Sequence, residues 1–467
     1  MAVSRRPPSL AFFPGVAFLL FCGTLLAALP PLATAMEAVD FRQAVARALR
    51  ANPAVAAAGY DHAAAQQDVE TARGHYLPDL GFGLRFLRTN IPAEAFALTL
   101  NQGKLQASDF QDVNNFNNPP PRNAYITTFT LEQPIFVPRV YLGHKMARTE
   151  AEAKGLDLSR TKEETVFRVL VAYLDVLTAK AYLSVAERGL SDAREHQRLA
   201  EVAEGAGTGL SSDVLRAKVS VAAAEGGKVT AESRLELARR GLSLAMGERN
   251  APPVDATGPA PAFPDPGTLE ELQAAVAKRA DLRAVSMRVE NAGSSEDLRK
   301  SEYYPALGLL GSYQFDAEQS PFEVDHRSWK VGVGLTWNVF DGLRRESGVS
   351  RAASERRKAE EQYRGERDRA AYQAAQAYLG IREACLRAEI ARAAVEAAEE
   401  GMRLIRNRYG NQIGRMIDVL DAQTALDRAR ADAVKAEYDV GQSRARLMFA
   451  SGTLLAWAVP EGKENRP

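Results

Sequence analysis

Two carboxylates, Asp418 and Asp421, stand three residues apart in Gly414-Arg415-Met416-Ile417-Asp418-Val419-Leu420-Asp421-Ala422. At i, i+3 they lie near one face at the start of a helix. A helix start favours negative charge, so one role for Asp418 is electrostatic support of the helix, with Asp421 solvated. No other chemistry assembles. The five histidines, His62, His75, His144, His196 and His326, are scattered without metal-ligand spacing. No glycine-rich phosphate loop follows a strand, and no nucleophile motif appears. The remaining carboxylates alternate with Arg and Lys at i, i+3 and i+4, as on any solvated helix. Neither enzyme activity, a cofactor nor a metal centre is expected. With 59 basic and 59 acidic residues the net charge is zero, which speaks against a nucleic-acid surface.

The acidic motif occurs twice. Gly209-Leu210-Ser211-Ser212-Asp213-Val214-Leu215-Arg216-Ala217 precedes it at a constant offset of 205, from 213 to 418. Ala172-Tyr173-Leu174 returns at the same offset as Ala377-Tyr378-Leu379. Tyr76-Leu77-Pro78 returns as Tyr303-Tyr304-Pro305, and Gln133-Pro134-Ile135-Phe136 as Trp337-Asn338-Val339-Phe340. The 467 residues therefore read as two halves of one architecture, a first repeat at 36–250 and a second at 268–452. A Pro-rich linker at 251–267 joins them and a tail at 453–467 follows. Residues 1–35 read as a signal peptide: Arg5 and Arg6, an apolar run from Phe12 to Leu29, and the small-residue site Ala33-Thr34-Ala35. Cys22 follows bulky Phe21, which disfavours lipid attachment, and Cys385 then remains as an isolated thiol expected to be apolar filler.

Four runs alternate with a period of two, the mark of a strand with unlike faces. At 124–136, Tyr125, Phe129, Leu131 and Ile135 oppose Thr128, Thr130 and Glu132. At 328–340, Trp329, Val331, Val333, Leu335, Trp337 and Val339 oppose Ser328, Lys330, Gly332, Gly334, Thr336 and Asn338. Shorter runs at 80–88 and 306–315 align Leu80, Phe82, Leu84 and Phe86, and Leu307, Leu309, Tyr313 and Phe315. Their lengths suit tilted strands crossing a bilayer, with Trp329 and Trp337 as interfacial aromatics. A soluble sandwich would show the same alternation. Yet four strands in two hairpins cannot close a barrel, and open edges are not tolerated in lipid, so several chains must contribute. No apolar helix of membrane-spanning length is expected. The connector at 89–123 is long and its counterpart at 316–327 short, and long barrel loops ordinarily face outside the cell.

These strands feed two proline-free helical runs, about 139–206 and 343–408, each on the order of 100 Å long at 1.5 Å per residue. Val166, Leu170, Tyr173, Leu174, Leu177 and Ala181 form one stripe. Tyr363, Ala370, Ala374, Ala377, Tyr378 and Ile381 form its alanine-rich equivalent. Returning helices at about 212–247 and 416–450 are shorter, and segments at 54–75 and 282–301 could stack on them end to end. The hairpins turn at 205–211 and 409–415, marked by Gly205, Gly207, Gly209, Gly410 and Gly414.

Over essentially the whole mature chain this arrangement resembles the TolC-like outer-membrane efflux proteins, through the order helix, helix, strand, strand, long helix, returning helix, twice, and through the Asp-Val-Leu tip motif. The resemblance implies a mixed α and β membrane fold: four transmembrane strands per chain in a shared trimeric twelve-stranded β-barrel, continued by a long α-helical periplasmic barrel. It implies an outer-membrane exit duct of a Gram-negative bacterium for drugs, toxic compounds or metal ions. The implied partners are two further copies, outer-membrane lipid, a periplasmic adaptor and a proton- or ATP-driven inner-membrane pump. Asp418 and Asp421 match a periplasmic constriction, where a ring of carboxylates favours cations. Gly207, Gly209, Leu210, Asp213, Val214, Leu215, Tyr409, Gly414, Arg415, Val419 and Leu420 match the helix tips that latch together and meet the adaptor. The family's usual latch arginine falls on Gly414 here, and its usual glycine on Gln412. Tyr409 and Arg415 are therefore expected to engage Asp213 jointly, although Asp213 could instead cap its helix. A protein-secretion channel and a coiled-coil periplasmic tether remain alternatives, the tether lacking membrane strands.

Overall fold

The computed structural model describes residues 37–248, 252–321 and 323–459. The signal-peptide reading of 1–35, Cys22 and the end of the tail lie outside them. The chain runs β1 (Ala38–Val39), α1 (Phe41–Ala51), α2 (Pro53–Gly74), β2 (Asp79–Thr89), α3 (Pro92–Asn101), a 3₁₀ turn (Ala107–Phe110), α4 (Asn114–Asn117), β3 (Arg122–Phe136), α5 (Pro138–Gly205) and α6 (Ser211–Met246). It continues through β4 (Asp255–Ala256), α7 (Leu269–Val276), α8 (Ala280–Lys300), a 3₁₀ turn (Ser301–Tyr303), β5 (Ala306–Ala317), β6 (His326–Thr336), α9 (Arg344–Gly410), α10 (Met416–Ser451) and α11 (Leu454–Ala458).

The four long strands make one antiparallel sheet in the order β2-β3-β5-β6. Register aligns the faces. Phe82 pairs with Phe129, Phe129 with Tyr313 and Tyr313 with Trp329, so these side chains share one surface. Gly81, Thr130, Ser312 and Lys330 line up across the other. On the apolar face Trp329, Val331, Val333 and Leu335 are all more than 60% exposed. Phe129 is exposed and Tyr125 and Leu131 half-buried, Tyr125 packing its ring on Phe86. Strand β6 ends at Thr336, short of the expected 340. Trp337 therefore lies just past the strand, where its indole N–H donates to the Tyr303 carbonyl at 3.1 Å. That bond ties the strand end to the turn before β5. The long connector at 89–123 is not irregular, since it holds α3, a 3₁₀ turn and α4.

The helices repeat the lateral order of the strands. Next to the sheet, α5 packs between α2 and α8, and α8 packs on α9. Further away, α5 packs between α6 and α10, and α10 on α9. The short returning helices stack end to end with α2 and α8 as expected. At the junction Asn52 caps α2 by accepting from the Ala54 N–H at 2.9 Å and donates to Ala245 O of α6 at 3.0 Å. Gly247, at φ 82°, lets the chain pass the backbone of Asn52 there.

A belt surrounds this junction. The residues at 252–267, read as a linker, are docked: Asp255 and Ala256 pair in parallel with Ala38 and Val39, and Val254 and Ala256 are buried. Lys180 and Arg239 both hold the Asp255 carboxylate, at 2.9 and 3.2 Å. The belt also corrects the expectation about apolar helices. An 18-residue window of α5 reaches a mean hydropathy of 1.5, enough by composition for a membrane span. In this helix Val166, Val169, Leu170, Tyr173, Leu174 and Val176 are fully buried against α1, α6, α10 and α11, so its most apolar residues serve the protein core, although only 39% of the window as a whole is buried. Tail residues Leu454 and Ala458 complete that core. Cys385 is half-buried beside Ile381, Leu272 and Leu447.

Candidate functional site at the helix tips

Helices α5 and α9 end in the same turn. In the first, the Thr208 and Gly209 N–H groups donate to the Ala203 carbonyl at 3.0 and 2.9 Å. In the second, Ile413 and Gly414 donate to Arg408 at 2.9 and 3.1 Å. This six-to-one closure satisfies carbonyls that the helix leaves open, and it needs a left-handed residue. Gly207 supplies it at φ 74°, and Gln412, at the equivalent place, adopts φ 62°. Gly209 is required for another reason. A Cβ there would stand 2.8 Å from the Glu204 nitrogen, and at Gly414 it would stand 3.0 Å from the Tyr409 nitrogen.

Beyond the turns the two hairpins share a small core of Ala200, Val214, Ala217, Met402, Met416, Val419, Leu420 and Leu426, with Tyr409 against it. Val214, Val419 and Leu420, expected to reach an adaptor, are thus occupied in holding the hairpins together. Leu210 and Leu215 are exposed, at 66% and 63%.

The charged groups correct the latch expectation. Arg415 does not engage Asp213. Its Nη2 donates to Asp418 Oδ1 at 3.0 Å, and its backbone N–H to Oδ2 at 3.3 Å. Asp418 therefore closes the start of α10, and the hydrogen bond from Arg415 holds its carboxyl below the usual range. Asp213 does not cap α6 with its side chain either, because the residue preceding the helix is Leu210. Tyr409 does lie near Asp213. Burial first, then that carboxylate, pushes the phenol above its ordinary value. Asp421 is exposed, and its charge adds to the field that stabilises the Arg415 cation.

One cluster escaped sequence reasoning. Between α5 and α10, buried His196 meets Gln423 Oε1 at 3.1 Å, and the Gln423 amide donates to Asp192 at 3.1 Å and Asp427 at 2.9 Å. Arg430 links Asp192 at 3.6 Å to Glu399 of α9 at 3.0 Å. Burial raises the Asp427 carboxyl. No repeat offset marks these residues, so nothing in the sequence drew them together. Among the described residues no group of His, Cys, Asp and Glu is placed to hold a metal.

A sheet with a greasy and a polar face, open at both edges among the described residues and fused to helices of 68 and 67 residues, defines a membrane duct assembled from strands and helices. The family profile described as outer membrane efflux protein matches residues 44–248 and 272–453, and the chain belongs to that family. Outer membrane efflux protein BepC of Brucella suis is 24% identical over 321 residues, covering 66% of this chain and 68% of BepC. Alkaline protease secretion protein AprF of Pseudomonas aeruginosa is 21% identical over 417 residues, covering 87% and 83%. The fold is that of the outer membrane protein VceC from Vibrio cholerae, with a TM-score of 0.72 at 18% identity over 88% of this chain and 96% of that one. The protein is accordingly an exit duct of the outer membrane that extends into the periplasm, in a family of channels rather than enzymes.

Proposed function

We propose that three copies of this chain close one twelve-stranded barrel and one helical tube, and that the tube receives small molecules from a periplasmic adaptor and an inner-membrane pump. The cargo classes are drugs, toxic compounds and metal ions. The observation that carries the assembly is the coincidence of edges. Among the described residues the sheet is unpaired at β2 and β6, and the helical layer ends on the same sides, at α2 and α6 and at α9. Both helical margins carry exposed apolar side chains: Val219, Val229, Leu237 and Leu244 on α6, and Tyr372, Leu379, Leu386 and Ile390 on α9. Tyr372, Leu379 and Leu386 recur every seven residues, the spacing of a helix that meets a partner along its length. One copy's α6 margin mates with the next copy's α9 margin, a head-to-tail contact that closes into a ring.

In that ring the tips form the gate, with Asp418 and Asp421 lining the constriction and Leu210 and Leu215 exposed towards the adaptor. Native mass and conductance in planar lipid films test the reading. A heat-modifiable trimer that conducts, and that loses cation preference in Asp418→Asn/Asp421→Asn, is expected. A non-conducting monomer sinks it. The likeness to AprF favours a second cargo, a secreted protein. Co-purification with an ATP-driven exporter rather than a proton-driven pump would select it.

A further inference from the structure

We propose that the connector between β2 and β3 is a plug in the outer mouth of the duct, held shut by Gln102 and Lys104; this rests on the duct reading above. The placement follows from register. Buried Leu98 of α3 packs on Ala124 and Ile126 of β3, with Leu87 of β2 beside them. Along β3, Ala124 and Ile126 alternate with Tyr125 and Phe129, so they share the face of Thr128, Thr130 and Glu132. Leu87 likewise sits on the Gly81, Gly83 and Arg85 face of β2. That is the polar side of the sheet, away from the tryptophan and valine surface. Helix α3 therefore folds over the lumen side, at the end of the strands farthest from the helices.

From there the chain crosses the sheet. The Gln102 amide, buried to 3% exposure, donates to Asn123 O at 2.8 Å and reaches Ala317 O of β5 at 3.5 Å. Gly103, at φ 67°, passes the ring of His326 on β6, with 3.6 Å between its Cβ position and Nδ1. Lys104 then clamps two carboxylates of the second hairpin, Asp325 at 2.8 Å and Glu318 at 3.0 Å. Asp325 also accepts from the Glu318 N–H at 2.9 Å. These bonds raise the Lys104 ammonium and lower the Asp325 carboxyl from their ordinary values, which favours the charged form of that pair. Beneath it Asp316 is only 1% exposed. The rest of the connector is shaped rather than slack, since Phe116 packs on both Phe96 and Phe110 at 5.4 Å between ring centroids. A segment anchored across the sheet of one chain, repeated by each copy in the ring, narrows the outlet as a second constriction in series with the helix tips. Its effect is a size limit at the outer end.

Thiol accessibility on intact cells tests this without relying on the state of the tips. Thr130→Cys, in a Cys385→Ser background, places a thiol on the lumen face below the plug. A small methanethiosulfonate and a large polyethylene-glycol maleimide are added from outside. The expected result is labelling by the small reagent and exclusion of the large one. In Gln102→Ala/Lys104→Met the large reagent should label about tenfold faster, equal to ~1.4 kcal/mol of lost closure. Replacing residues 92–118 by a short Gly-Ser turn should do at least as much, and it serves as second variant if the double variant does not reach the membrane as a heat-modifiable oligomer. Equal labelling by the large reagent with the plug intact, released or replaced overturns the proposal. Failure of both reagents in every variant overturns the duct geometry, and the plug with it.

Discussion

Gln412 holds a conformation that its equivalent in the first repeat assigns to glycine, and exchanging the two side chains measures what that costs. A left-handed L-residue is disfavoured by roughly 1–2 kcal/mol through the clash of its Cβ with the following carbonyl. Glycine relieves the clash but has more freedom to lose on folding, worth about 0.5–1 kcal/mol. Gln412→Gly should therefore stabilise the second turn by ~0.5–1 kcal/mol. The readout is amide hydrogen exchange at Ile413 and Gly414, whose N–H groups donate to the Arg408 carbonyl and report closure of the turn. Exchange should slow about two- to fivefold. Gly207→Gln should accelerate exchange at Thr208 and Gly209 by a similar factor. Gly209→Ala should be worse than either, because its new Cβ meets backbone at 2.8–2.9 Å rather than a movable side chain. Unchanged or faster exchange in Gln412→Gly, with Gly207→Gln also silent, would refute the reasoning, for positive φ would then carry no strain in these turns.

Further outcomes follow from the charges and faces. Arg415→Gln removes the hydrogen bond that depresses the Asp418 carboxyl, so its titration, followed by carboxyl NMR, should move up towards the ordinary aspartate range. The sign is that of a lowered carboxylate: the start of α10 keeps this support above the ordinary pKa and loses it as pH falls through the depressed one. Glu163 shifts the other way, since burial outweighs the opposing Arg160 charge 2.8 Å away. Its stabilising protonated form is lost as pH rises through the raised value, so Glu163→Gln should flatten the fall of thermal stability with pH. Arg160→Met, which strands that buried carboxylate, should cost ~3–5 kcal/mol in denaturant unfolding. Val331→Lys on the apolar face should lower the yield of heat-modifiable oligomer in outer membranes, by a cost of ~2–4 kcal/mol if it sits at mid-bilayer, whereas Ser312→Lys on the opposite face should be tolerated.

The strands and long helices were legible because each carries its own period. Alternation over 124–136 and 328–340 named the apolar face correctly, as the pairing of Tyr313 with Trp329 now displays. The ends were less legible. Trp337 continues the alternation but leaves the sheet, because a period says nothing about where a pairing partner stops; β5 begins at Ala306, opposite Thr336. The tip motif was found by its repetition, yet the partner of Arg415 was misjudged. A guanidinium three residues from a carboxylate at a helix start closes on it locally, and that bond outcompeted the imagined contact across the hairpins. His196 with Gln423, and Gln102 with Ala317, are separated by 227 and 215 residues and have no local signature.

The belt, the sheet and the tips are joined by one constraint. Each strand continues without a break in lateral order into a helix: β3 into α5 and β6 into α9, while α2 leads into β2 and α8 into β5. Whatever closes the sheet must therefore also close the helical layer, because the two share the same first and last members. A soluble protein could cover its edge strands with a loop or a charged side chain. Here β2 and β6 present an apolar face beside the open edge, and the helices beneath them present apolar margins of their own, Leu237 and Leu244 on one and Leu379 and Leu386 on the other. Covering one edge without the other leaves either unpaired backbone in lipid or apolar helix surface in water. A neighbour built the same way would satisfy both along the whole length, which is the geometric argument for the proposed ring.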